Sequence, residues 1–160
     1  MELQAELAKR ARALVDSKHS TLIKHSADFY AAKFLPDFQV IYIDDGDGDR
    51  ITSEQKAALL QAGVSLTLAD AMPDVLLWNA KTDWLWVIEA VTSDGEVDGH
   101  KVSQLQMLAE RCGKAGVGFT TTYPKWSVAA KRQGAHKNLA IDTYMWIEED
   151  GSRQFKVETF

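Results

Sequence analysis

Hydrophobic positions along this chain follow two periods. Val75 to Trp78 and Trp84 to Ile88 are continuously apolar, and Asn79-Ala80-Lys81-Thr82-Asp83 between them is turn chemistry, which predicts a β-hairpin. Phe38 to Ile43 and Val117 to Tyr123 are β-rich runs. Ile141 to Ile147 and Arg153 to Val157 read as two further strands, and Val64 to Leu68 as a short one. Helical spacing at Leu3, Leu7, Ala11, Leu14 and Val15 predicts a helix from Met1 to about Val15, and a second short helix covers Ser26 to Phe34, ending before Pro36. Thr52 and Gln55 have capping-box spacing, opening a helix that runs to Ala62 and closes at Gly63. A helix from Asp98 or Gly99 to Cys112 turns Val102, Leu105, Leu108 and Ala109 inward, and a basic helix spans Lys125 to Gln133 before Gly134. Strands interleaved with helices in this order predict an α/β fold, a mixed sheet with helices on both faces. Residues 1–35 form a helical segment ahead of a main domain, 36–160.

The hairpin register has a chemical consequence. With Ala80 to Asp83 as the loop, Trp78 faces Leu85, Leu76 faces Val87, and Asp74 falls opposite Glu89. Opposed residues lie roughly 5 Å apart on one face, whereas a one-residue slip would send the two acids to opposite faces. Two carboxylates on an apolar rim repel each other and are costly to desolvate. A Mg²⁺ ion held by such a pair together with phosphate oxygens resolves that conflict. Solvated strand ends satisfy the same pattern, so both readings stay open here.

Composition narrows the class. The chain has 160 residues, one domain's length, with 46% apolar and 26% charged residues, as in ordinary globular proteins. Cys112 is the single cysteine, which excludes an intrachain disulfide and a cysteine-cluster metal site. No apolar run approaches the roughly 20 residues of a membrane span, and the cytoplasm is the expected location. A net charge of −5 argues against a polyanionic partner, but the charge is unevenly spread. His100 to Lys137 holds Lys101, Arg111, Lys114, Lys125, Lys131, Arg132 and Lys137 against the one acid Glu110, an asymmetry of the kind that marks nucleic-acid-facing surfaces. Asp45, Asp47 and Asp49 resemble the start of an EF-hand loop, but Arg50 stands where glycine is needed and Lys56 where glutamate is needed. The tract reads as a polar turn. His19 and His25, in the polar connection between the first two helices, read as surface residues. No phosphate-cradling glycine loop or nucleophile motif supports a small-molecule enzyme.

The stretches VIYIDDGDGDR, MPDVLLW, WLWVIEAVTSDG, VGFTTTYP and IDTYMWI carry a resemblance. From about Val40 to Ile147 the chain resembles the catalytic region of the BsuBI/PstI family of type II restriction endonucleases. The resemblance implies the PD-(D/E)XK nuclease fold for 36–160, and Mg²⁺-dependent hydrolysis of double-stranded DNA, with Mn²⁺ able to substitute. Symmetric cutting of two strands implies a homodimer. Asp74 would be the PD aspartate, Glu89 the acid of the second half-motif, and the Ala90 carbonyl a further metal ligand. The motif lysine is replaced by Val91, so the catalytic cation is expected from Lys101, with His100 as second choice. Thr92 and Ser93 would either donate hydrogen bonds to phosphate or simply end the strand, and Lys125, Lys131, Arg132 and Lys137, on and just after the basic helix, would contact the DNA backbone. A second reading is a nucleic-acid-binding domain that kept the fold and lost the chemistry. Val91 favours it, as do the mere 35 or so residues ahead of the nuclease part, where relatives carry a larger DNA-binding region.

Overall fold

In the computed structural model, which describes residues 2–44, 51–66, 72–134 and 139–158, six strands form one sheet in sequence order. They are β1 (Gln39–Ile43), β2 (Val75–Asn79), β3 (Trp84–Ala90), β4 (Gly116–Tyr123), β5 (Tyr144–Ile147) and β6 (Gln154–Lys156). β3, β4 and β5 run parallel, and the remaining neighbours are antiparallel. The two parallel pairings need crossovers, supplied by α4 (Gly99–Arg111) and α5 (Trp126–Gly134).

The hairpin takes the expected register, Trp78 against Leu85 and Leu76 against Val87. Its loop is pinned from within: Asn79 Oδ1 accepts hydrogen bonds from the Lys81 and Thr82 N–H groups, and Asp83 adopts a left-handed φ of 59°. The Asp83 carboxylate takes the Trp78 indole N–H and the Lys114 ammonium, which hold it below the ordinary carboxylate range.

Alternation along β2 and β3 sorts the core into two layers. Leu76, Leu85 and Val87 face α3 (Ser53–Ala62) and α4, against Leu59, Leu105, Leu108 and Ala109. Val75, Leu77, Ile88 and Ala90 face the N-terminal helices, against Leu22, Ile23, Tyr30 and Ala31. Helices therefore cover both faces. α3 has the Thr52–Gln55 capping box and a left-handed Gly63 at its end, as the sequence indicates.

The N-terminus differs from expectation. In place of two helices joined by a polar connection, one helix, α1, runs from Glu2 to His25, passes through a π-helical turn at Ser26–Tyr30, and ends as α2 (Ala31–Phe34). The stretch 18–25 reads as polar because Lys18, Thr21 and Lys24 face solvent; its apolar residues, Leu22 and Ile23, are buried on the sheet. The Ser26 hydroxyl meets Thr122 Oγ1 at 2.8 Å and the Tyr30 hydroxyl meets Thr120 Oγ1 at 2.7 Å, joining the helix to β4. Each pairing satisfies buried hydroxyls that would cost about 1–3 kcal/mol if left without partners. Val64 to Leu66 form no strand, and residues 67–71, with Leu68, lie outside the described residues, as do Asp45, Asp47, Asp49 and Arg50.

Candidate active site

Asp74 precedes β2 and Glu89 lies near the end of β3, so the hairpin brings both acids to one rim on the α4 face. This is the carboxyl end of the parallel strands, where open α/β sheets place their sites. Asp74 Oδ2 accepts the Ala90 N–H at 2.8 Å, fixing its carboxylate to the opposite strand. Glu89 is 5% exposed. Burial, and then the neighbouring Asp74 charge, push its pKa up to about 8, against the opposing pull of Lys101.

Lys101 enters this rim from the first turn of α4. Its Nζ lies 3.2 Å from Glu89 Oε2 and donates to the Gly95 carbonyl at 2.6 Å. Asp98 caps the helix by accepting the Lys101 N–H at 2.9 Å, which fixes where the side chain starts. His100, beside it, is exposed. Val91 has no room for the motif lysine: it is fully buried against Tyr123, Ala129 and Ile147, so the charge arrives from the next helix.

The N-terminal helix adds a residue that the sequence pattern assigns to the surface. His19 Nε2 lies 3.0 Å from the Ala90 carbonyl and 3.5 Å from Asp74 Oδ2. Its hydrogen bond to the Asp74 carboxylate holds the imidazole above its ordinary pKa, although burial opposes this. His25 also has a partner, Glu148. The spacing of His19, Leu22, Ile23, Ser26 and Tyr30 is the signal that places His19 on the sheet side of the helix.

The donors at the rim are two carboxylates and a peptide carbonyl, all hard oxygens. Lys101 is, among the described residues, the ammonium set against the two acids, and a divalent oxygen-seeking cation fits such a set. Among the described residues no cluster of three or more His, Cys, Asp or Glu is arranged to hold a metal, and the Ala90 carbonyl is the further oxygen beside Asp74 at this rim.

The basic segment separates into two kinds of residue. Lys125 and Lys131 are exposed, beside the rim and on α5, and Ser93 is exposed on the loop after β3. Arg132 points inward: its Nε and one terminal nitrogen each donate to a Glu96 carboxylate oxygen at 2.9 Å, and Asp94 Oδ1 lies 2.8 Å from that nitrogen. Glu96 is 6% exposed and also takes the Tyr123 hydroxyl at 3.2 Å. The guanidinium expected on DNA is thus engaged within the protein. Lys114 is turned inward too, on Asp83 and the Ala62 carbonyl. Lys137 lies outside the described residues.

The model of the BsuBI/PstI restriction endonuclease domain matches residues 4–158. Among curated proteins the chain is similar to the type II restriction enzyme BsuBI of Bacillus subtilis, with 29% identity over 136 residues, 85% of this chain and 42% of that enzyme. Among solved structures it is similar to the SdaI restriction endonuclease, with a TM-score of 0.72 at 22% identity, covering 88% of this chain and 43% of the other. That likeness shows the mixed-sheet fold. The chain spans less than half the length of either relative. Among the described residues no helix is long and apolar enough to cross a membrane.

Proposed function

Because the chain belongs to the BsuBI/PstI restriction endonuclease domain family, we propose that it acts as a site-specific, Mg²⁺-dependent DNA endonuclease of the type II restriction class. The observation that carries the reading is the meeting of Asp74, Glu89 and Lys101 at one sheet rim, although they come from three different elements. Asp74, Glu89 and the Ala90 carbonyl would hold the metal, with Mn²⁺ able to replace Mg²⁺. When bound, the ion supplies polarisation of a phosphate oxygen and a more acidic water. The protein's own groups do the positioning. Lys101, braced by Gly95 and Glu89, presents a fixed positive charge where negative charge grows on the phosphate. The Ala90 N–H keeps the Asp74 carboxylate from rotating, and burial of Glu89 excludes water from behind it.

Lys125 and Lys131, together with Ser93 and Lys137, are proposed to follow the DNA backbone past this rim. Two copies acting on opposite strands would make the working unit a homodimer on double-stranded DNA. The reading of a fold without chemistry draws on Val91; the position of Lys101 beside Glu89, where it would supply the missing charge, favours the catalytic reading.

Digestion of a large mixed-sequence DNA with Mg²⁺, with fragment ends sequenced, tests activity, site and stagger together. Discrete ends that vanish with chelator, with Asp74→Asn and with Glu89→Gln support the reading. Uncut DNA in Mg²⁺ and Mn²⁺, or full cleavage by either variant, overturns it.

A further inference from the structure

One imidazole N–H covers two of the oxygens assigned above to the cation. Ala90 O is a carbonyl and Asp74 Oδ2 belongs to a carboxylate that already accepts the Ala90 N–H. Both are acceptors, so His19 Nε2 carries the proton and directs its positive end between them. The contact is not a chance meeting of mobile side chains. His19 sits on the helix that Leu22, Ile23, Ser26 and Tyr30 fasten to the sheet, and its ring remains 36% exposed. It is therefore firmly rooted at its Cα and free to turn at its tip.

A cation bound by Ala90 O and Asp74 must face the same oxygens from the same pocket. The dipole of an N–H aimed at that pocket repels it, so the two occupants exclude each other. Resting on the metal-site reading above, we propose that His19 is a further residue of the cation site. It is a placeholder whose Nε2–H occupies the Ala90 carbonyl and Asp74 and gives them up when the divalent cation binds. In the cation-free protein it partners a carbonyl at the strand end and keeps Asp74 turned toward Ala90. On loading, the imidazole is released at the rim, next to the place where DNA phosphate would lie.

The test uses Mn²⁺ alone, titrated calorimetrically into the full chain, its His19→Ala variant and its Asp74→Asn variant. It is paired with the His19 ring resonance followed by NMR during a Mg²⁺ titration of the unaltered protein. Removal of one competing hydrogen bond is expected to tighten Mn²⁺ binding about 3- to 10-fold in His19→Ala. The His19 resonance is expected to shift as Mg²⁺ saturates, and to stay fixed in Asp74→Asn. Equal or weaker Mn²⁺ binding by His19→Ala overturns the placeholder role, as does a ring resonance that stays fixed while the unaltered protein saturates. Absence of Mn²⁺ binding by the unaltered protein, or undiminished binding by Asp74→Asn, instead removes the metal-site reading beneath it, so the two failures are told apart.

Discussion

Glu89 and Glu96 stand seven residues apart, both nearly inaccessible to water, at the same end of the same sheet. Their surroundings are opposite. Burial penalises the Glu96 charge, but the Arg132 fork and the Tyr123 hydroxyl more than offset it, and the carboxyl is held below its ordinary range. Glu89 receives one ammonium at 3.2 Å and faces a second acid, so burial prevails and its pKa rises. A buried acid answered by a two-point guanidinium is complete as it stands and serves the loop it belongs to. A buried acid left short of positive charge is paid for in stability and is the kind of group found where chemistry is done.

This contrast can be broken most severely at the rim. Asp74→Asn and Glu89→Gln are each expected to cut the cleavage rate by about 10³-fold or more, measured under single-turnover conditions. Glu89→Gln should at the same time leave the metal-free melting temperature equal or raised. A large drop in melting temperature would move Glu89 into the class of Glu96. Lys101→Ala should slow cleavage about 10²-fold while DNA affinity, read with Ca²⁺ in place of Mg²⁺, stays constant; turnover at the original rate would remove Lys101 from the site.

Arg132→Met attacks the other half. It strands Glu96 in the interior and should cost about 3 kcal/mol of stability in urea titrations. An unchanged midpoint together with weakened, less salt-dependent DNA binding would return Arg132 to the backbone-contacting set.

Acidity then separates the two glutamates by sign. Glu96 has a lowered folded pKa, so its contribution is present above the unfolded value and lost as pH falls through the folded one. Glu89 has a raised folded pKa, so its contribution is full below the unfolded value and lost as pH climbs toward about 8. Metal-free melting curves of Glu89→Gln should therefore gain on the unaltered protein as pH climbs, whereas the deficit of Glu96→Gln should close in acid. Parallel curves for both would deny the contrast. The smallest effect belongs to the surface: replacing Lys125 and Lys131 together should flatten the salt slope of DNA binding by about 2, and an unchanged slope would point to another face.

How far the sequence speaks depends on how far apart the partners lie. Asp74 and Glu89 are joined by a short turn, so apolar runs and loop residues were enough to set their register. Lys101 follows Ser93 closely and starts a helix capped by Asp98, which made its approach to the rim legible as well. The capping box of α3 is a wholly local signal. His19 and Ala90 are separated by 71 positions and Arg132 and Glu96 by 36. Neither pairing leaves a mark in local composition. Arg132 looks like any cation on a basic helix until the loop after β3 folds beneath it. His19 was hidden by polarity: the solvent side of a continuous helix reads as a connection when its apolar side is only Leu22 and Ile23.

Ser26 and Tyr30 also make the N-terminal helix intolerant of small changes in length. Across the π-helical turn Ser26 and Tyr30 each meet one threonine of β4, and those two, Thr122 and Thr120, stand about 6.6 Å apart on the strand. The two hydroxyl pairs thus act as a vernier, admitting one axial setting of helix against sheet. His19 stands seven residues upstream of Ser26, nearly two full turns. An inserted or deleted residue between His19 and Leu22 would leave the vernier engaged and the core filled, yet carry the imidazole about 100° around the helix. Substitutions at the exposed positions Thr21 and Lys24 can therefore be many, but the length of the stretch behaves as a reading frame for the site.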